Sequence, residues 1–138
     1  MTIRTMIVSL ISITCAAHGY GASALDDAAF FSKSVQPILA DNCIKCHGPD
    51  RQKGHLRLDS REAVLAGGKS GPAVVVGKPE ESVLIKAVRY TDDDLQMPPK
   101  KQLSDDDIKV LVDWVTRGAP WSADAAAAPP KPDSPKQP

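Results

Sequence analysis

Aromatic side chains are scarce in this chain, with two Trp, two Tyr and two Phe among 138 residues. A core filled mainly by large rings is therefore not available. Cysteine is scarce as well, with three residues, too few for a scaffold held by several disulfides. Neither sign of charge prevails, since 17 Lys and Arg face 17 Asp and Glu. The basic residues form no block and no aromatic-studded patch, so the electrostatic footprint of a nucleic-acid binder is missing. Nor is there an apolar run of the roughly 20 residues that a membrane span needs. The most apolar stretch, Met6 to Ala17, falls short of that.

That stretch has a different logic. Arg4 precedes it, Ala22-Ser23-Ala24 follows as a small-x-small cleavage site, and acidic residues begin at once with Asp26 and Asp27. Residues 1–24 thus read as a secretory signal peptide, with an uncleaved N-terminal anchor as the alternative. A lipoprotein site at Cys15 is the weaker reading, because Ser12-Ile13-Thr14 does not carry the usual leucine-and-small-residue pattern. Cleavage after Ala24 places the protein in the periplasm or another exported location. It also removes Cys15, His18, Met1 and Met6, leaving Cys43, Cys46, His47, His55 and Met97 as the soft or nitrogenous ligands. Loss of Arg4 leaves the balance one unit acidic. At the other end, residues 123–138 are mostly Ala, Pro, Lys and Asp; such a segment cannot bury a core and reads as a disordered tail or spacer. One domain remains, residues 25–122.

Within it lies Cys43-Ile44-Lys45-Cys46-His47. C-x-x-C-H is the spacing of c-type haem attachment. One helical turn puts both thiols on the same side, each able to form a thioether to a porphyrin vinyl group, with the adjacent imidazole beneath the iron. C-x-x-C also suits zinc or thiol redox chemistry. A structural zinc would need a second ligand pair, for which only His55 is left, and a thioredoxin-like site would need a βαβ context that the pattern lacks. A Cys43–Cys46 disulfide would close a very short loop and leave His47 unexplained. A cofactor also suits the low aromatic content, since it fills part of the core.

The elements are mostly helical. Phe31, Val35, Ile38 and Leu39 form one apolar face of a first helix over 25–40, with a break expected at Pro37. Asp41-Asn42 is expected to cap the turn bearing the motif, and the Pro49 carbonyl to accept from the second nitrogen of His47. Leu56 and Leu58 alternate with polar neighbours, as in a short extended segment. Asp59 with Glu62 resembles a capping box opening a helix that ends at Gly67-Gly68, and Ala73 to Val76 is a brief apolar run. Lys78-Pro79-Glu80-Glu81 reads as a helix start, with Val83, Leu84, Ala87 and Val88 as the buried face. Asp92-Asp93-Asp94 lacks calcium-loop spacing and reads as a solvated turn. Met97-Pro98-Pro99 is a stiffened loop presenting one thioether, the form an iron ligand needs; the plainer reading of Met97 is a core gap-filler. Ser104 caps a last helix whose Ile108, Leu111, Val112 and Val115 make the strongest amphipathic stripe. Trp114 reads as core, while Trp121 is either core or a neighbour of a haem propionate.

A C-x-x-C-H near the start, helices at both ends and a Met loop between resemble the class I cytochrome c pattern. The likeness is closer than that. Leu39-Ala40-Asp41-Asn42-Cys43 through Gly48-Pro49, Leu56 to Arg61, Gly68-Lys69-Ser70-Gly71-Pro72, Gly77 to Ser82, Met97-Pro98-Pro99-Lys100 and Gly118-Ala119-Pro120-Trp121 together resemble the planctomycete-type cytochrome c domain over roughly residues 28–121. The resemblance implies a mainly α fold with N- and C-terminal helices packed around one covalent haem c. It implies Cys43 and Cys46 as thioether sites, His47 as one axial ligand and Met97 as the other. Members usually carry this module within longer exported proteins, and activities of those further domains do not carry over.

Three functions stand against one another. In the first, His/Met-ligated iron carries single electrons to a redox partner protein or membrane electron-transfer complex. In the second, Met97 is off the iron or displaceable and the protein is a haem peroxidase or gas sensor; His55 and Arg57 are the polar groups near enough to serve, although a propionate contact suits Arg57 better. The third is a non-haem structural module. His55 is also the alternative distal ligand, disfavoured because only seven residues separate it from His47.

Overall fold

The computed structural model describes residues 21–122. The leader reading falls largely on residues 1–20 and the tail reading on 123–138, outside the described residues. Among those described, the chain is helical with isolated bridges and no strand. Helix α1 spans Gly21–Phe30, α2 Gln36–Asn42, α3 Arg61–Ala66, α4 Val83–Arg89 and α5 Asp105–Thr116.

The break expected at Pro37 takes the form of a change of helix type: Pro37 opens a second short helix that carries Ile38 and Leu39 into Cys43, and the chain stays helical throughout. Helices α1 and α2 are joined by a π-helical turn, Phe31–Val35, in which the Gln36 N–H donates to the Phe31 carbonyl five residues back. In a regular α-helix the Pro37 ring would clash with the carbonyl four residues earlier. The wider π turn just before it relieves that crowding, and Pro37 takes an early position of α2, where its missing N–H matters little. The rod therefore continues through the proline, and the expected stripe holds: Phe31, Val35, Ile38 and Leu39 are all buried.

The rod packs on α5. Ser104 caps α5 by accepting from the Asp107 N–H at 3.2 Å, and three aspartates occupy its first turn. Leu111, Trp114 and Val115 are buried, and Ile108 and Val112 pack partly buried against the same core. Phe31 and the two tryptophans form a triangle of rings, with centroids 6.1 Å apart for Phe31–Trp114, 4.2 Å for Phe31–Trp121 and 6.0 Å for Trp114–Trp121. Three of the chain's rings are thus gathered where the two ends of the domain meet. Arg117 lies over the Phe30 ring at 4.5 Å and reaches Asp27 at 3.5 Å. The chain then closes through Gly118 (φ 95°), and the Trp114 indole N–H donates to the Pro120 carbonyl at 2.7 Å.

The middle of the chain folds by local polar contacts that periodicity does not show. Asp59 does not cap α3. Its carboxylate is taken by Arg57, Nη2 to Oδ2 at 2.6 Å, and Ser60 caps instead by accepting from the Ala63 N–H at 3.2 Å. Arg61 donates to the carbonyls of Ala119 at 3.0 Å and Gly118 at 3.2 Å, tying α3 to the end of the domain. In the apolar run Ala73 and Val74 are buried, whereas Val76 is exposed. Lys78-Pro79-Glu80-Glu81 starts a single 3-10 turn, Pro79–Glu81, and α4 begins only at Val83. The reason is Ser82. Fully buried, its hydroxyl accepts from the Val75 N–H at 2.9 Å and donates to the Lys78 carbonyl at 2.9 Å, holding extended backbone between the two turns.

Ser82→Ala leaves the Val75 N–H and the Lys78 carbonyl without that partner. The expected loss is about 1–3 kcal/mol of unfolding free energy, read by denaturant titration, against no more than a few tenths for Ser104→Gly at an exposed cap.

Candidate functional site

The C-x-x-C-H turn grows out of α2. The Leu39 carbonyl accepts from the N–H groups of Cys43 at 2.9 Å and Ile44 at 3.0 Å, so the motif continues the helix and starts no new element. Asp41 is exposed, and Asn42 donates its side-chain amide back to the Ile38 carbonyl at 3.0 Å, closing α2 instead of capping the motif. The Cys43 carbonyl then accepts from both Cys46 N–H at 3.1 Å and His47 N–H at 2.9 Å. One turn thus carries the two thiols and the imidazole. Behind it the chain reverses at Gly48, where an added Cβ would sit 2.5 Å from the Ile44 carbonyl oxygen. The Leu58 N–H returns to the His47 carbonyl at 2.8 Å.

This turn forms one wall of a cavity of about 200 Å³, to which Cys43, Cys46 and His47 all contribute. Leu56 and Leu58, the alternating pair, line it next to the motif. Val83, Leu84, Ala87 and Val88 line it from α4, so the face read as buried from spacing is the face α4 turns to the cavity. Ile85, unnoticed in that stripe, points into the core instead and is fully buried. Met97, Pro98 and Pro99 complete the lining, so the cavity brings all four sequence-predicted site residues together. Lys53 and Lys69 are the only cations in the lining, and it includes no carboxylate.

The Met97 loop hangs from the end of α4. The Ala87 carbonyl accepts from the Met97 N–H at 3.0 Å, and the Gln102 side-chain amide donates to the Val88 carbonyl at 3.3 Å. The Tyr90 hydroxyl donates to the Pro98 carbonyl from a left-handed backbone position, φ 57°, that also caps α4. Neither spacing nor composition marks Tyr90 as a site residue; its role depends on an eight-residue return of the chain. Met97 itself is 37% exposed, so it is no core gap-filler.

Burial pushes the Cys43 thiol up to about 12, so this sulfur stays protonated at neutral pH. His47 Nδ1 is buried and has no hydrogen-bond partner. The Pro49 carbonyl does not serve it, contrary to the expectation, because the chain turns off at Gly48 into a tight loop closed by Gly48 N–H to Arg51 O at 2.9 Å. With Nδ1 buried in protein, Nε2 is the nitrogen left to meet a metal.

Other candidates stand elsewhere. His55 is exposed and does not line the cavity. Arg57 is held by Asp59 and is likewise outside the lining. Trp121 packs on Phe31, away from the lining, which leaves the propionate role without a contact. Asp92, Asp93 and Asp94 form an exposed turn. Among the described residues no group of three or more His, Cys, Asp or Glu is placed to hold a metal ion. A haem needs no such cluster: its ring nitrogens supply four donors, leaving one or two positions to side chains. An apolar cavity with two thiols along one wall, an imidazole beside them and a thioether in the lining fits that group.

No curated protein and no solved structure matches the chain. Residues 43–101, running from the first thiol past the thioether and its two prolines, match the family model described as Planctomycete cytochrome C. The chain is similar to that family over this segment, and the family implies haem c as cofactor and a c-type cytochrome as the general class.

Proposed function

We propose that the chain is an exported monohaem c-type cytochrome acting in one-electron transfer, with His47 and Met97 as axial ligands and Cys43 and Cys46 as thioether sites. The observation that carries this reading is the joint presence of both thiols, the imidazole and the thioether in the lining of one apolar cavity. When bound, haem c supplies a one-electron couple at its iron. The chain's residues do the rest. Cys43 and Cys46 fix the vinyl edge, and His47 offers Nε2 from the same turn. Met97 offers its sulfur from a loop fastened to α4. Leu56, Leu58, Leu84 and Val88 exclude water, and a thioether opposite an imidazole raises the potential relative to other ligand sets. Export rests on the leader reading, and no helix of the described residues is long and apolar enough to cross a membrane. The partner is a redox protein or a membrane electron-transfer complex.

A second reading, a haem peroxidase or gas sensor with a displaceable distal ligand, draws on the 37% exposure of Met97. Exposed thioethers leave iron more readily than enclosed ones. Ligation separates the two readings.

Expressed with haem-attachment machinery, the exported protein is expected to gain the mass of one haem, and Cys43→Ser with Cys46→Ser to abolish the covalent adduct; a colourless wild type sinks the proposal. The oxidised protein is expected to show a sulfur-to-iron charge-transfer band that Met97→Ala removes. Rapid carbon monoxide binding by the reduced wild type decides for the second reading. Tyr90→Phe, which frees the Pro98 carbonyl, is expected to lower the temperature at which that band disappears and to cost about 1 kcal/mol of unfolding free energy.

A further inference from the structure

The two thiols of the C-x-x-C-H turn stand in different surroundings. Cys43 is 8% exposed and belongs to the apolar core together with Ile38 and Leu39. Its N–H is bonded to the Leu39 carbonyl at 2.9 Å, and its own carbonyl accepts from the Cys46 and His47 N–H groups at 3.1 and 2.9 Å. Backbone bonds on both sides thus hold Cys43, and further exposure of its sulfur requires that turn to open locally. Cys46 is half-buried and lies outside that core. Both residues line the cavity, and neither sulfur is bonded to the other. A reactant entering the cavity therefore meets one thiol that is presented and one that is packed.

We propose that the two thioethers form in a set order, Cys46 first and Cys43 second. The inference rests on the haem reading above and adds the sequence of its two bonds. In each step a cysteine S–H adds across one vinyl group. An S–C bond forms, the π component of the C=C bond breaks, and the sulfur's proton passes to the other vinyl carbon. No electrons enter or leave, so neither addition consumes an oxidant or a reductant. The first bond falls to the thiol that a vinyl group reaches with least change in the chain, which is Cys46. That bond tethers the porphyrin to the turn that carries Cys43, and the second addition becomes intramolecular. The tether offsets the cost of opening the buried thiol. A free Cys43 is thus the mark of the half-attached protein.

Lys45, exposed between the two cysteines, lets trypsin part them. The full chain is made with haem-attachment machinery, sampled during attachment, unfolded, treated with a maleimide that marks free thiols, and digested. Singly bonded haem is expected on the peptide that begins at Cys46, with maleimide on the one that ends at Lys45. Cys43→Ser is expected to take up haem at the wild-type initial rate, and Cys46→Ser about tenfold more slowly, as an opening cost of about 1.4 kcal/mol requires. In the full chain without haem, maleimide is expected to label Cys46 before Cys43 in buffer and both alike in strong urea, which ties the order to burial. Single attachment at Cys43, or equal attachment at both, overturns the proposal, and so does equal labelling in buffer. If the wild type still ends with one doubly bonded haem in those cases, the cytochrome reading stands and only the order falls. A wild type without covalent haem removes both.

Discussion

The structure depends on the Leu39 carbonyl accepting two successive N–H groups, from Cys43 and Ile44. Those bonds make the C-x-x-C-H turn an extension of α2 and not a loop beside it. The thiols and the imidazole are then as fixed as the helix, and the helix is fixed by burying Phe31, Val35, Ile38 and Leu39. Each such burial is worth roughly 1.5–3 kcal/mol, so the aim of three reactive groups is held by an apolar interface a few turns away. Side chains held this way are organised before anything binds.

The facing wall uses a different device. Helix α4 is only seven residues long and could not stand alone. Ser82 fixes its start, a left-handed Tyr90 ends it, and its last carbonyls receive the Met97 loop. The loop thus borrows its rigidity from a helix that the core holds through Ile85. One wall is an extended helix and the other a loop suspended from a short one, which accounts for the contrast between a buried Cys43 and a partly exposed Met97.

Much of the site was legible because it is local. Cys43, Cys46 and His47 are contiguous, Met97 is flanked by prolines, and the apolar stripes of the first and last helices follow the helical period. What escaped was set by contacts between distant residues or by competition for one side chain. Asp59 looked like a cap, but Arg57 two residues away takes its carboxylate and Ser60 does the capping. The Pro49 carbonyl looked like the natural acceptor for His47, but the Gly48 turn carries it elsewhere. At Pro37 the break was legible but its form was not, because periodicity assumes a uniform helix, and a π turn is not uniform. Ser82 and Tyr90 have no signature in composition or spacing, since each depends on where another segment of the chain returns.

That π turn at Phe31–Val35 has a consequence for which way the two halves of the rod face. It accommodates one residue more than an α-helical turn and so resets the phase between the two halves of the rod. The front half can orient itself to Arg117 and the far end of α5 while the rear half orients itself to the cavity, each at its own azimuth. The wide turn sets a fixed offset in phase, so that Phe30 faces Arg117 on one side of it while Cys43 lines the cavity on the other.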